Sequence, residues 1–121
     1  MSNFQNIAEK YIRLWNEREP SVRQRLLEEG WVRDATYCDP MARVAGQLDI
    51  NTLIGNVQSR FPEFTFKLTT APNGYGEHLR FSWGLGPKGV ESIIEGSDVV
   101  TLKDNRIESV VGFLDKVPSQ N

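Results

Sequence analysis

The spacing of apolar residues changes along this chain, and that change limits the folds open to it. Up to residue 61 the apolar positions recur mainly at helical spacing, and from residue 64 onward they alternate. Phe4, Ile7, Ala8, Tyr11, Leu14 and Trp15 form one stripe with Glu9, Lys10 and Arg13 opposite, which predicts an amphipathic helix over 4–17. Glu19, Pro20 and Ser21 open a second short helix with Val22, Leu26 and Leu27 inward, and Gly30 stops it. Residues 31–39 then read as a short strand. Ala35, Tyr37 and Asp39 share one parity, Thr36 and Cys38 the other, and Pro40 ends the run. Residues 43–46 read as a loop. A third helix over 47–61 carries Leu48, Ile50, Leu53, Ile54, Val57 and Phe61 as its stripe, and Pro62 closes it.

Four alternating segments follow. Phe64, Phe66 and Leu68 alternate with Thr65, Lys67 and Thr69. Pro72, Asn73 and Gly74 mark a turn. Leu79, Phe81, Trp83 and Leu85 alternate with His78, Arg80 and Ser82 and make a greasy wall, and a turn at 86–89 follows. In the run 91–102 one parity reads Ile94, Gly96, Asp98, Val100, Leu102, and the other is more polar. Residues 103–105 make a tight connection to a last strand over 106–114. Helices followed by a run of strands predict an α+β fold, with three helices packed on one face of a curved, mostly antiparallel sheet. Gly84, Gly96 and Gly112 sit inside strands and fit bulges or bends.

Asp98 breaks the pattern that contains it. Its parity assigns it to the inner face, where an ionised carboxylate is costly unless it is paired, hydrogen-bonded or kept protonated. Tyr11 and Trp15, four residues apart, share a helical face, and Tyr37 and Asp39 share a strand face. Two carboxyls and two phenols among apolar walls have the composition of a binding pocket.

Composition excludes several function classes. The chain has 121 residues, 39% of them hydrophobic and 25% charged, with formal net charge -2. That suits a single domain over 1–121, and the balanced charge argues against nucleic-acid and membrane-surface partners. The N-terminal residues lack a signal-peptide layout and no apolar run approaches membrane-spanning length, so a cytoplasmic location is expected. Cys38 is the only cysteine and His78 the only histidine, which leaves carboxylates alone to build a metal site, and no such cluster is evident.

The segments Tyr11-Ile-Arg-Leu-Trp-Asn16, Trp31-Val-Arg-Asp-Ala-Thr-Tyr-Cys-Asp-Pro40, Gly96-Ser-Asp98 and Arg106-Ile-Glu-Ser-Val-Val-Gly-Phe-Leu-Asp115 carry a family resemblance. Over nearly its full length the chain resembles the nuclear-transport-factor-2-like (NTF2-like) superfamily, in its SnoaL-like and ketosteroid-isomerase-like branch. The resemblance implies a cone-shaped fold with a hydrophobic pocket between helices and sheet. It also implies cofactor-independent proton transfer next to a carbonyl, as isomerisation or aldol-type cyclisation of a hydrophobic small molecule. In the ketosteroid-isomerase pattern, also the standard example of a neutral buried carboxyl, Asp39 takes the place of the general base. Tyr11 and a protonated Asp98 take the places of the donors to the enolate oxygen.

Trp15, Tyr37, Phe81, Trp83 and Val100 are expected to line the pocket. His78 and Arg80 have the parity opposite Phe81 and Trp83, so they are expected to face solvent or a partner subunit. Asp34 and Asp115 read as turn or surface residues, and Cys38 as a small buried residue. Two other functions fit the superfamily. An epoxide hydrolase would need Arg80 or Arg106 in the pocket. A non-catalytic binding or homodimerisation domain would use the sheet face, with His78, Arg80, Thr65 and Lys67 available to it.

Overall fold

The computed structural model describes residues 3–118, so the first two and last three residues of the expected domain lie outside it. The helices α1 (Phe4–Asn16), α2 (Pro20–Gly30) and α3 (Gln47–Arg60) form where the stripes predict. Glu19 caps α2: its carboxylate accepts from the Ser21 amide, and Pro20 occupies the first turn, where no amide hydrogen is needed. Leu48 departs from the expected stripe. It lies in the first turn of α3 and is 71% exposed, while Ile50 and Ile54 are fully buried.

The strands are β1 (Trp31–Asp39), β2 (Ala42–Ala45), β3 (Phe64–Leu68), β4 (Asn73–Tyr75), β5 (His78–Pro87), β6 (Ile94–Lys103) and β7 (Arg106–Lys116). They make one sheet in the order β2-β1-β7-β6-β5-β3, with β4 also paired to β5. Every pairing is antiparallel except β1 with β7, which is parallel. Two segments differ from the sequence expectation. The loop expected at 43–46 is mostly strand, because β2 folds back on β1 as a hairpin, pairing Asp39 with Ala42 through Thr36 with Ala45. The turn expected at Pro72–Gly74 gives way to β4, which pairs Asn73 with Arg80. Both strands are too short for alternation to reveal them. Of the glycines expected at bulges, Gly96 borders one, and Gly84 and Gly112 lie in regular register.

The core fills the space between the helices and the inner face of the sheet, with Leu14, Leu27, Ile50, Ile54, Leu79, Val100 and Val110 the largest wholly buried side chains. Asn16 pins the end of α1 to the edge strand β3. Its side-chain amide donates to the Phe66 carbonyl at 2.9 Å and accepts from the Phe66 amide at 2.7 Å, as a neighbouring strand would. A polar knot that the apolar patterns do not reveal joins the three helices. The Arg23 guanidinium is buried and donates to Asn51 Oδ1 (2.7 Å), Gln58 Oε1 (2.9 Å) and the Glu17 carbonyl (3.0 Å). Gln58 Nε2 in turn donates to the carbonyls of Trp15 and Glu17. These carbonyls are freed where α1 ends, so the knot satisfies a helix terminus as well as a buried cation. Burial pushes the Arg23 pKa down from its ordinary value. Among the described residues no helix is long and apolar enough to cross a membrane.

Gln58→Leu removes one acceptor from the guanidinium and the donor to two helix-end carbonyls. The expected loss is about 2 kcal/mol of stability, the scale of a hydrogen bond to a charged group. Urea unfolding checks it, and an unchanged midpoint would show that the knot is not stabilising.

Candidate active site

The inner face of the sheet and helices α1 and α3 border an open cavity of about 540 Å³. Tyr11, Trp15, Tyr37, Asp39, Trp83 and Asp98 line it. Phe81 and Val100, expected in the lining, do not reach it. Tyr11 stands edge-on to Phe81, with ring centroids 5.1 Å apart, and covers it, while Val100 is wholly buried one step further along β6. Both are core residues beneath the site.

Strand parity holds on β6: Gly96, Asp98, Val100 and Leu102 are buried, and Val99 and Lys103 are exposed. Asp98 is 2% exposed, and its Oδ2 accepts a 2.6 Å hydrogen bond from the Tyr11 hydroxyl. Burial drives the Asp98 pKa up to about 6. The Tyr11 hydrogen bond and the Trp83 indole N–H oppose that rise, while the negative charges of Asp39 and Asp115 add to it. Burial thus shifts Asp98 toward its neutral form relative to an exposed aspartate. Tyr11 is held well above its ordinary pKa by burial and then by the charge of Asp98, so it is a neutral donor. Its ring stacks on Trp31 at 6.0 Å.

A second phenol–carboxyl pair faces the first. The Tyr37 hydroxyl donates to Asp39 Oδ2 at 2.7 Å. Burial, then the charge of Asp98, raises the Tyr37 pKa. Asp39 ends β1 and caps the turn into β2: its Oδ1 accepts from the amides of Met41 (2.8 Å) and Ala42 (2.9 Å). Three donors thus hold Asp39, leaving part of one oxygen to a ligand.

Two glycines shape the floor. Gly112 on β7 is the register partner of Asp98. A Cβ there would lie 2.7 Å from Asp98 Oδ1 and 3.4 Å from the Asp39 Cβ, so the missing side chain leaves a notch between the two acids. A Cβ at Gly96 would lie 2.4 Å from Trp83 Cζ2, so that glycine lets the indole lie across the strand. Trp15 Nε1 and Trp83 Nε1 are buried with no hydrogen-bond partner among the described residues, although both bias the charge balance of the pair, Trp15 through Tyr11 and Trp83 through Asp98.

His78 and Arg80 are exposed and line a separate surface cleft with Asn73, Tyr75 and Val99. Arg106 donates to the Glu28 carbonyl and is absent from the cavity lining. Asp34 is exposed, as expected, and Cys38 is only half-buried. Asp115 is also exposed and accepts a hydrogen bond from Ser97. Sequence reasoning missed Gly112, Asn56 and Arg60 as lining residues. The helical spacing of Leu53, Val57 and Phe61 would have exposed the last two. Among the described residues no group of three or more histidine, cysteine or acidic side chains could hold a metal ion.

No family model and no curated protein sequence matches the chain. Solved structures do. This fold is that of NTF2-like proteins, such as one from Cytophaga hutchinsonii of unknown function (13% identity, TM-score 0.70, covering 95% of this chain and 92% of that one). A proposed isomerase of the SnoaL-like family from Agrobacterium tumefaciens is 36% identical with a TM-score of 0.90, covering 95% of this chain and 99% of that one. The chain belongs to the SnoaL-like family. A proposed SnoaL-like polyketide cyclase from Jannaschia shares the fold at 15% identity and a TM-score of 0.70, covering 95% of this chain and 90% of that one.

Asp98 makes stability depend on pH. Its folded-state pKa of about 6 lies above the reference value of 3.8, so its contribution is intact below about pH 4 and is lost as pH rises through about 6. Asp98→Asn removes that penalty. Relative to wild type it is expected to gain up to about 3 kcal/mol between about pH 4 and about pH 8. Urea unfolding at both pH values measures the gain, and an equal difference at both would contradict it.

Proposed function

We propose that this protein is a cofactor-independent enzyme that moves a proton at the carbon next to a carbonyl of an apolar small molecule. The outcome is isomerisation or aldol-type ring closure. The observation that carries this reading is the buried Tyr11–Asp98 pair opening on a cavity that Asp39 also lines. A carboxyl group whose pKa burial raises to about 6 suits a general acid–base catalyst. Asp98, rather than the more heavily hydrogen-bonded Asp39, therefore takes the proton. As the C–H bond breaks, its electron pair moves onto the carbonyl oxygen and the proton passes to Asp98. The new carboxyl O–H can then donate to the Tyr11 oxygen, which frees the Tyr11 hydroxyl to donate to the enolate. Returning the proton to a different carbon completes an isomerisation. Attack of the enolate on a second carbonyl completes an aldol closure.

The relatives named as an isomerase and a polyketide cyclase support this class. An epoxide hydrolase draws less support, since neither Arg80 nor Arg106 lines the cavity.

Both outcomes begin with the same C–H cleavage, so solvent deuterium exchange into 2-tetralone, followed by NMR, tests the reading. Exchange is expected to rise with pH through about 6 and then level, and to fall at least about 100-fold in Asp98→Asn. Asp39→Asn, which removes a neighbouring negative charge, is expected to keep most activity and to move the profile to lower pH. Loss of exchange in Asp39→Asn with retention in Asp98→Asn would transfer the base to Asp39. No exchange by the wild type, with ligand binding intact, would leave a non-catalytic binder.

The partner expected through the sheet is a second copy of this chain. Val99 and Val111 are register partners on the outer face, both exposed, and Phe113 is exposed two residues further along β7. Val111→Lys is expected to convert a dimer to a monomer in sedimentation velocity without changing the circular dichroism. A monomeric wild type would end the proposal.

A further inference from the structure

The cavity-facing side of α3 carries two residues that a purely apolar stripe does not require. Leu53, Asn56, Val57, Arg60 and Phe61 follow the spacing of one helical face, and all five line the cavity. Three are apolar. Asn56 and Arg60, one turn apart, are exposed at its open end, and among the described residues neither side chain has a hydrogen-bond or ion-pair partner. Arg60 is the only cation among the described lining residues, and the acids Asp39 and Asp98 are more deeply buried.

This distribution of charge orients a ligand. An anionic group pushed against the two acids meets like charge in a poorly screened interior. At the mouth the same group meets a planar fork of guanidinium N–H donors, which fits a carboxylate through two bonds, with the Asn56 amide one turn away as a further donor. The wall between the two ends is apolar: Ile12, Leu53, Val57, Phe66, Leu85 and Ile94.

Given that the cavity is a ligand site, as the proton-transfer reading holds, we propose that its ligand is an amphipathic carboxylate. The apolar, carbonyl-bearing body lies against the phenol–carboxyl pairs, and the carboxylate is held at the mouth by Arg60 and Asn56. The simpler role for Arg60 is to complement the C-terminal end of α3, where a basic residue is favourable. In that role its charge would be indifferent to what the cavity binds.

Quenching of tryptophan fluorescence separates the two, because Trp15 and Trp83 line the cavity. The probes share one apolar body and differ in charge: 2-naphthylacetate, 2-naphthylacetamide and 2-naphthylethylammonium. In the wild type the acetate is expected to bind about three- to fivefold tighter than the amide, the scale of an exposed ion pair. The ammonium probe is expected to bind the wild type more weakly than the acetate. In Arg60→Gln the acetate loses its advantage and the amide's affinity is retained. An acetate that binds no tighter than the amide in the wild type overturns the proposal, as does a preference that survives in Arg60→Gln. Failure of all three probes to bind overturns both this inference and the cavity as a ligand site. A preference that holds while deuterium exchange is absent leaves this inference standing and removes only the proton-transfer chemistry.

Discussion

The 2.6 Å hydrogen bond from Tyr11 to Asp98 is the interaction around which the interior is arranged. A carboxyl group at 2% exposure carries a desolvation penalty that favours its neutral form. The phenol, itself held neutral by burial, offsets part of that penalty by donating to the charged form. The result is a carboxyl whose pKa is raised to about 6, above that of an exposed aspartate. Removing water from both groups is what makes this balance possible, since in a high-dielectric setting neither burial nor the neighbouring Asp39 would move the equilibrium far.

Holding that pair in place requires rigidity on both sides. On the helix side, Asn16 fixes the end of α1 to β3 and the Arg23 knot fixes it to α2 and α3, so the face bearing Tyr11 and Trp15 has little freedom to slide. On the sheet side, two glycines provide the space. Gly96 admits the Trp83 ring beside the carboxyl, and Gly112 leaves the notch between Asp98 and Asp39. The site is thus defined as much by two absent side chains as by four polar ones. Its penalty in stability at neutral pH is the kind of cost that functional sites carry and the rest of the core must offset.

Much of this was legible beforehand. Helical spacing placed Tyr11 and Trp15 on one inward face, and alternation placed Asp98 inside and His78 and Arg80 outside, because burial on one side of an element imposes its period on the residues. The short strands β2 and β4 were not legible, since three or four residues cannot display a period. Leu48 was misassigned because apolarity in a first turn does not guarantee that the neighbouring sheet reaches it. Phe81 and Val100 were placed in the lining because parity reports the face of a strand but not the depth beneath a neighbouring ring.

Gly112 separates what the chain encodes locally from what folding adds. Counted from the hairpin pairs Lys103–Arg106 and Leu102–Ile107, an unbroken ladder would set Val111 beside Asp98. The irregularity between Thr101 and Leu102 places one extra residue, Glu108, in β7 and brings Gly112 there instead. Sequence alone determined the three helices and the longer strands, the inward parity of Asp98 and the face shared by Tyr11 and Trp15, because each follows from a local period. Only the tertiary structure decided that Tyr11 meets Asp98, that Gly112 opens the gap between two acids, and that Arg60 stands at the mouth. Those depend on register and on packing between segments distant in sequence, which no local pattern carries.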